Sequence, residues 1–552
     1  MGHSFSSEKR QEYLMDMKKG LDVLIIGGGI TGAGVALDAE VRGLRTGLVE
    51  MQDFAAGTSS RSTKLIHGGL RYLKQYELKL VAEVGKERAI VYENAPHVTT
   101  PERMLLPIYK DGTFGKLSTS VGLTLYDKLA DVPKDERRTM LSKRQTLKEE
   151  PLLRTEKLKG AGMYIEYRTD DARLTIEVLK EAVKRGARAL NYMKVESLLY
   201  ENGKAIGVLA VNRLTGEAHK LFAKKIVNAA GPWVDTIREQ DRSKTGKFVK
   251  LSKGVHLVVA GSKFPLKQAV YFDTEKDGRM LFAIPRDGKA YIGTTDTFYE
   301  GSKIAPRMTE ADLNYILAAT NYMFPSLQLT KEDVESSWVG LRPLIYEEGK
   351  TPSDISRKDE IFVSDSGLLS IAGGKLTGYR KMAERVVDLI GKELKITKGC
   401  ETEQIALSGG YVGGATGFES FIERKIVEGM AFGLEEMEAR ELANRYGSNV
   451  SNVFARISVL RKQAASFHLP ASLFAQLRYG IEEEMVETPL DFFVRRTGAL
   501  FFNIAWVEKW KEPVLRYMRD TFRWTDEMTA RYERELAEEI YYAKTPVMDE
   551  AD

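Results

Sequence analysis

The chain has 552 residues, more than one hydrophobic core usually serves, so two or more domains are expected. Its 82 Lys and Arg nearly balance 78 Asp and Glu for a net charge of +4, and no block of like charge forms a nucleic-acid arm, which excludes nucleic acid as a partner. The one cysteine, Cys400, excludes an internal disulfide and a cysteine-rich metal site and suits a reducing compartment; no metal is expected.

Met1 to Gly20 is too polar for a signal peptide and reads as an N-terminal extension, and no apolar run approaches the roughly 20 residues that cross a bilayer. The next stretch, LDVLIIGGGITGAGVALDAEVRGLRTGLVE, runs from Leu21 to Glu50. Its apolar start predicts a buried parallel strand over Leu21 to Ile26, and the spacing from Ile30 to Val41 suits a helix packed on it. Gly27, Gly29 and Gly32 stand at the junction as G-x-G-x-x-G. The first permits a tight turn, the second lets a pyrophosphate approach the backbone, and the third lets helix and strand pack closely. The helix start, Ile30 and Thr31, then faces the phosphates. A second strand, Thr46 to Val49, ends in Glu50, whose carboxylate suits an adenosine ribose. FAD and NAD share that half, so this unit does not choose between them. A hydroxyl-rich segment follows, with Thr58, Ser59 and Ser60 and then His67, Gly68 and Gly69, where further alternating strands and helices would be expected of an NAD enzyme. Such a segment can wrap an extended cofactor.

Farther along, Asp170 or Asp171 can cap a helix over about 172–184, and strand-like runs at 194–199, 205–212 and 219–226 form an inserted antiparallel element around the turns Asn202-Gly203 and Thr215-Gly216. The last run continues to Ala230 and Gly231. Strand-like segments at 255–260, 280–284 and 291–294 suggest a substrate sheet, and 368–372 is a last apolar strand before Gly373, Gly374 and Lys375, with a helix from Thr377 to Leu394. From 415 onward helical patterns dominate. Apolar residues among basic ones at 421–427 and 460–467 suit a membrane surface or, more commonly, packing within their own domain.

The motifs IIGGGITGAG (25–34), GTSSRSTKLIHGGLRYL (57–73), DDARL (170–174), VNAAGPW (227–233), KGVHLVV (253–259), IGTTDT (292–297), GLRPL (340–344) and GGKLTGYRKMAE (373–384) follow one another over roughly the first 400 residues. In that order the chain resembles the FAD-dependent, respiratory glycerol-3-phosphate dehydrogenases, within the glutathione-reductase-like flavoproteins. One departure is Arg61, where relatives can carry a small residue. The resemblance implies an α/β fold: a discontinuous, Rossmann-like FAD-binding domain over 21–395, interleaved with an antiparallel substrate sheet at about 85–165 and 251–343. A linker at 396–414 and a C-terminal helical domain at 415–552 complete it. It further implies FAD as cofactor, contacted by the residues already named and by Ala230, Gly231, Trp233, Gly374, Leu376 and Thr377. Glycerol 3-phosphate is the implied substrate and a membrane quinone the implied electron acceptor. The implied location is cytoplasmic, held peripherally at the inner face of the cell membrane, with a homodimer as a candidate assembly.

Oxidising a secondary alcohol needs a proton acceptor and charge to hold the alkoxide, and a phosphate needs cations. Arg71 and Arg342 sit in apolar, glycine- or proline-flanked motifs where an unpaired charge is costly, and guanidinium pairs bidentately with phosphate. Lys375, after two glycines at a helix start, suits phosphate, the flavin, or both. His256 is the first candidate for proton acceptor because of its ordinary pKa and the resemblance; Arg342 acting with water is the alternative. Tyr72, Thr294 and Thr295 are candidates for orienting the substrate. Rival readings are a glycerol-3-phosphate oxidase using oxygen, an amine or amino-acid oxidase of related fold, and a non-catalytic dinucleotide sensor.

Overall fold

In the computed structural model, which describes residues 5–67, 78–112, 115, 119–120, 122–125, 136–347 and 358–549, Leu21–Ile26 is a strand bonded in parallel on both sides, to Ala218–Asn228 and to Thr46–Val49. A strand so placed is covered on both faces, which explains its near-continuous apolar run. The sheet runs in the order Glu360–Val363, Leu369–Ala372, Ala218–Asn228, Leu21–Ile26, Thr46–Val49, Arg188–Leu190, so segments far apart in sequence meet in it. Met193–Glu201 and Lys204–Asn212 pair antiparallel through a turn with Asn202 and Gly203 at φ 48° and 75°, the left-handed pair that an Asn-Gly hairpin requires. Helix Asp171–Arg185 is capped by Asp170, whose carboxylate accepts from the Arg173 N–H at 3.0 Å.

A second, ten-stranded sheet is organised around Lys247–Ala260. That strand pairs antiparallel with Val334–Glu347 along one side and with Lys289–Gly293 and Thr297–Phe298 along the other. The register sets Ser252 opposite Arg342, Gly254 opposite Gly340 and His256 opposite Trp338. Side chains alternate across a strand, so these six share one face with Val258, while Val255, Leu257 and Val259 take the other. The second face packs against helix Glu310–Met323. On the first, Val258, Tyr291 and Trp338 share an apolar core with Leu500, Phe501, Phe502 and Tyr517 of the C-terminal region.

The described chain is mostly helical from Gly414 to Lys544, as expected, but this part is not packed apart from the rest. Phe501 and Phe502 close on the Trp338 ring with centroids 5.3 and 5.6 Å away, and fully buried Asp53 takes ion pairs from Arg495 and Arg496 in the π-helical turn Asp491–Arg496. The expected linker at 396–414 is also packed: Leu407 is buried with its N–H bonded to the Asn94 carbonyl, and the Asn94 amide donates to Thr402 and Glu403 carbonyls. The N-terminal extension carries helix Arg10–Met17, whose Tyr13, Leu14 and Met17 are buried. Of the stretch considered for a membrane surface, Phe421, Ile422 and Ile426 are buried in the helical core, and Phe467 packs on Phe474 and Tyr517.

Candidate active site

Gly27 has φ +112°, and a Cβ on it would lie 2.5 Å from the Ala229 carbonyl; a Cβ on Gly32 would fall on the carbonyl oxygen of Gly27. Both glycines therefore let strand and helix close on the turn, and Gly32 does not itself border the cavity beyond. Gly28 is equally constrained, since its Cβ would meet the Phe54 ring at 2.6 Å. The Glu50 carboxylate ties the turn from below, accepting the N–H of Gly28 at 2.7 Å and of Gln52 at 2.8 Å. Burial raises its pKa against those two bonds, which favour the charged form. The Ile30 N–H at the helix start is met by Ser59 Oγ at 2.9 Å.

The segment from Gly57 to Lys64 is strapped to the second sheet. Thr58 Oγ1 donates to the Leu341 carbonyl at 2.6 Å, Trp338 Nε1 to the Ser62 carbonyl at 3.0 Å and the Tyr291 hydroxyl to the Thr63 carbonyl at 3.2 Å. A Cβ on Gly340 would fall on the carbonyl of Arg61, so that glycine is what lets the segment cross the strand. Asp171 of the DDARL motif holds the segment from the far side, taking Ser62 Oγ at 2.7 Å and Lys64 Nζ at 2.6 Å. Ser60, expected at the cofactor, is instead buried, with its hydroxyl unpartnered among the described residues. Arg61 lies 3.8 Å from Glu539 of the last helix, which also pairs with Arg307 at 2.6 Å.

Arg342 reaches across Gly254. It donates to Thr294 Oγ1 at 2.9 Å and to the Thr295 carbonyl at 3.2 Å, and lies 3.6 Å from Asp296. Ser252, two residues before Gly254 on the same face, donates to that Asp296 carboxylate. Thr295 proves structural: it is buried, and its Oγ1 accepts the Val255 N–H at 3.1 Å and donates to the Lys253 carbonyl at 3.4 Å. Lys375, Gly374, Leu376 and Thr377 border the cavity, with Gly373 and Gly374 left-handed at φ 75° and 79°. The helix expected from Thr377 begins as a 3-10 turn at Leu376–Gly378 and becomes α-helical at Tyr379. Thr377 Oγ1 accepts the His67 N–H at 3.2 Å, which joins the two motifs through backbone. Arg71, Tyr72, Gly68 and Gly69 lie outside the described residues.

His256 is the largest departure from expectation. It is 1% exposed and does not border the cavity, because it stands on the sheet face between Gly254 at the cavity and Val258 in the C-terminal core. Its ring stacks on Trp338 with centroids 4.7 Å apart at 11°, and Nε2 lies 3.1 Å from Thr63 Oγ1. Burial, with the cations of Arg342 and Lys64, pushes its pKa well below 6.5. Sequence reasoning passed over Thr63, Ser252 and Asp296 as site residues, although Ser252 is in phase with His256 and Asp296 closes IGTTD.

These groups surround one cavity of ≈ 1190 Å³, bordered by Gly27, Gly29, Thr31 and Glu50 and also by Ala230, Gly231, Trp233, Arg342 and Lys375. That exceeds the few hundred to about 1,000 Å³ of ordinary small-ligand pockets. A bare glycine turn at a helix start, a carboxylate at the second strand end and the cations Arg342 and Lys375 on the same cavity together fit FAD with a small anionic substrate. Fold and site thus define an FAD-dependent oxidoreductase, and the family model described as FAD dependent oxidoreductase matches residues 22–380. The model for the C-terminal domain of alpha-glycerophosphate oxidase matches 400–529. The chain is 59% identical to the aerobic glycerol-3-phosphate dehydrogenase of Bacillus subtilis (strain 168), covering 99% of this chain and 100% of that protein, and 55% identical to that of Staphylococcus aureus (strain USA300), covering 98% of each. The structure of the glycerol-3-phosphate dehydrogenase from Bacillus halodurans complexed with FAD superposes with a TM-score of 0.87 at 58% identity, over 99% of this chain and 100% of that one. The chain belongs to the family of aerobic glycerol-3-phosphate dehydrogenases.

Proposed function

We infer that this chain oxidises sn-glycerol 3-phosphate to dihydroxyacetone phosphate with FAD as its hydride acceptor, and that the electrons pass on to a membrane quinone. Family membership supports the first part. Within the chain, the observation that carries it is the placement of Arg342 and Lys375 on the same cavity as Gly27 and Gly29.

Bound FAD supplies the hydride acceptor. Arg342, its fork held by Thr294 and the Thr295 carbonyl, presents an oriented cation to a phosphate or a developing alkoxide. Lys375 adds a second positive charge, and Asp296 shares Arg342 until an anion competes for it. His256 is kept neutral by burial and by the cations of Arg342 and Lys64, so one ring nitrogen carries a lone pair, although the same surroundings oppose full protonation. Arg71 and Tyr72 complete the substrate set in this reading. An amino-acid oxidase of related fold would have use for one cation at its substrate carboxylate and none for the others.

Among the described residues no helix is long and apolar enough to cross a membrane. In this reading the chain is held through surface contacts at the cytoplasmic face of the membrane, releasable by high salt or mild detergent. The deciding experiment is an anaerobic titration with glycerol 3-phosphate. The flavin absorbance should bleach, and a soluble quinone should restore it faster than oxygen does. Faster recovery with oxygen would make the enzyme an oxidase, and no bleaching would overturn the reading.

A further inference from the structure

The buried histidine and the cavity are joined by one side chain. His256 stacks on Trp338 with one ring face and packs so closely on Gly293 that a Cβ there would run into the imidazole, so the ring fills the space that this glycine leaves. Its Nε2 meets Thr63 Oγ1 at 3.1 Å, and Nδ1 has no partner among the described residues. Thr63, unlike His256, borders the cavity.

Thr63 is also held in place from both sides. Its carbonyl takes the Tyr291 hydroxyl at 3.2 Å, the preceding Ser62 is bonded to Asp171, and the following Lys64 is bonded to Asp171 and to the Ser60 carbonyl. Lys64 adopts φ +57°, a left-handed conformation that a lysine keeps only when its surroundings impose it. A surface hydroxyl would have no need of so many restraints, whereas a hydroxyl required at one point between two reacting groups would.

We propose that Thr63 is the proton relay between the substrate alcohol and His256. The proposal rests on the dehydrogenase reading above. The O–H bond at the substrate's second carbon breaks and its proton passes to Thr63 Oγ1, while the hydroxyl hydrogen of Thr63 passes to His256 Nε2. The C–H electron pair at that carbon leaves as hydride to FAD, and the former O–H pair forms the carbonyl. His256 ends the step as imidazolium, stacked on Trp338, and after the ketone leaves it gives the proton back through Thr63 to water that enters the cavity. The step requires the neutral tautomer with hydrogen on Nδ1, so that Nε2 can accept from Thr63. The charges nearest the ring are Arg342 and Lys64, and Asp171 pairs with the latter.

Thr63→Val keeps the shape and removes the hydroxyl; Thr63→Ser keeps the hydroxyl. Flavin content and Tm of each variant establish that it folds and binds cofactor. In anaerobic stopped-flow at saturating glycerol 3-phosphate, Thr63→Val should bleach about 10²- to 10⁴-fold more slowly, with KM little changed, and Thr63→Ser should recover most of the rate. Adding His256→Gln to Thr63→Val should cost little more, because the two act as one unit. Independently of turnover, ¹⁵N spectra of histidine-labelled oxidised protein should show His256, assigned by its loss in His256→Gln, protonated on Nδ1 and shifted by Thr63→Val. Wild-type bleaching by Thr63→Val, equal loss in both Thr63 variants, or a hydrogen resident on Nε2 would overturn the relay. Absence of bleaching in the unsubstituted enzyme would overturn the dehydrogenase reading instead.

Discussion

The guanidinium of Arg342 lies over Gly254: a Cβ built on that glycine would come within 2.5 Å of both Arg342 Nη2 and Thr294 Oγ1. The two residues are on neighbouring strands, and the absence of a side chain on one creates the seat of the other. Gly254→Ala should leave the sheet and its FAD in place while displacing the arginine fork. A loss of about 10- to 100-fold in kcat/KM for glycerol 3-phosphate follows if one charge-assisted pair of about 1.5–3 kcal/mol is lost. Steady-state kinetics with flavin quantitation checks it.

Arg342→Lys tests the fork directly. It keeps the charge but cannot donate to Thr294 and to the Thr295 carbonyl at once, as the guanidinium does. A fall in kcat/KM of on the order of ten- to a hundredfold or more is expected, with FAD retained. Equal efficiency of the two enzymes would show that charge alone suffices.

In the glycine turn, Gly32→Ala should abolish or greatly weaken FAD binding. Its new methyl would occupy the position of the Gly27 carbonyl oxygen, so either the helix moves off the strand or the turn opens. Fluorescence of free flavin released on gel filtration would report the loss, and a fully loaded variant would refute it.

Asp53 offers a test of the tie between the C-terminal helices and the dinucleotide domain. The carboxylate is buried and meets Arg496 at 2.8 Å as well as Arg495. Asp53→Asn leaves two buried cations short of a counter-charge and should destabilise the protein by about 3–5 kcal/mol. Denaturant unfolding followed by both flavin release and far-UV circular dichroism should show the two transitions moving together.

His97 should shape the acid limb of stability. Burial, then the charges of Arg173 and Lys180, hold its imidazole at about 3. Below the unfolded value of about 6.5 the unfolded chain takes up a proton that the folded chain refuses, so this contribution is complete above pH 6.5 and is lost as pH falls toward the folded value. Between pH 7 and pH 5 the loss is about 2 kcal/mol for this one group. His97→Asn should flatten the fall in unfolding free energy between those two pH values by about that amount, whatever its packing cost at pH 7.

Much of the dinucleotide half was legible in the chain because its signals are local. A strand, a glycine turn, a helix and a carboxylate within thirty residues must fold against each other, and their spacing alone says how. The family motifs likewise led to FAD and to Arg342, Thr294 and Lys375 at the cavity. The same reading placed His256 and Thr295 at the reacting end, where a strand pattern can say only that residues alternate, not which stretch of a face opens on a cavity and which lies under a helix.

By itself the sequence determined the strand, glycine turn and helix from Leu21 to Val41 and the helical character of the C-terminal region, since these depend largely on contacts between near neighbours in the chain, and its motifs in order implied the α/β cofactor fold through the family resemblance. Only the tertiary structure decided that Gly254 seats Arg342, that Gly340 lets the Arg61 backbone cross, that Asp171 fixes the segment bearing Thr63, and that Phe501 and Phe502 pack on the Trp338 ring against which His256 stacks. Those relations join strands and helices far apart in sequence. They are set by sheet register and by what volume remains when distant surfaces meet, and neither quantity is written in any short run of residues.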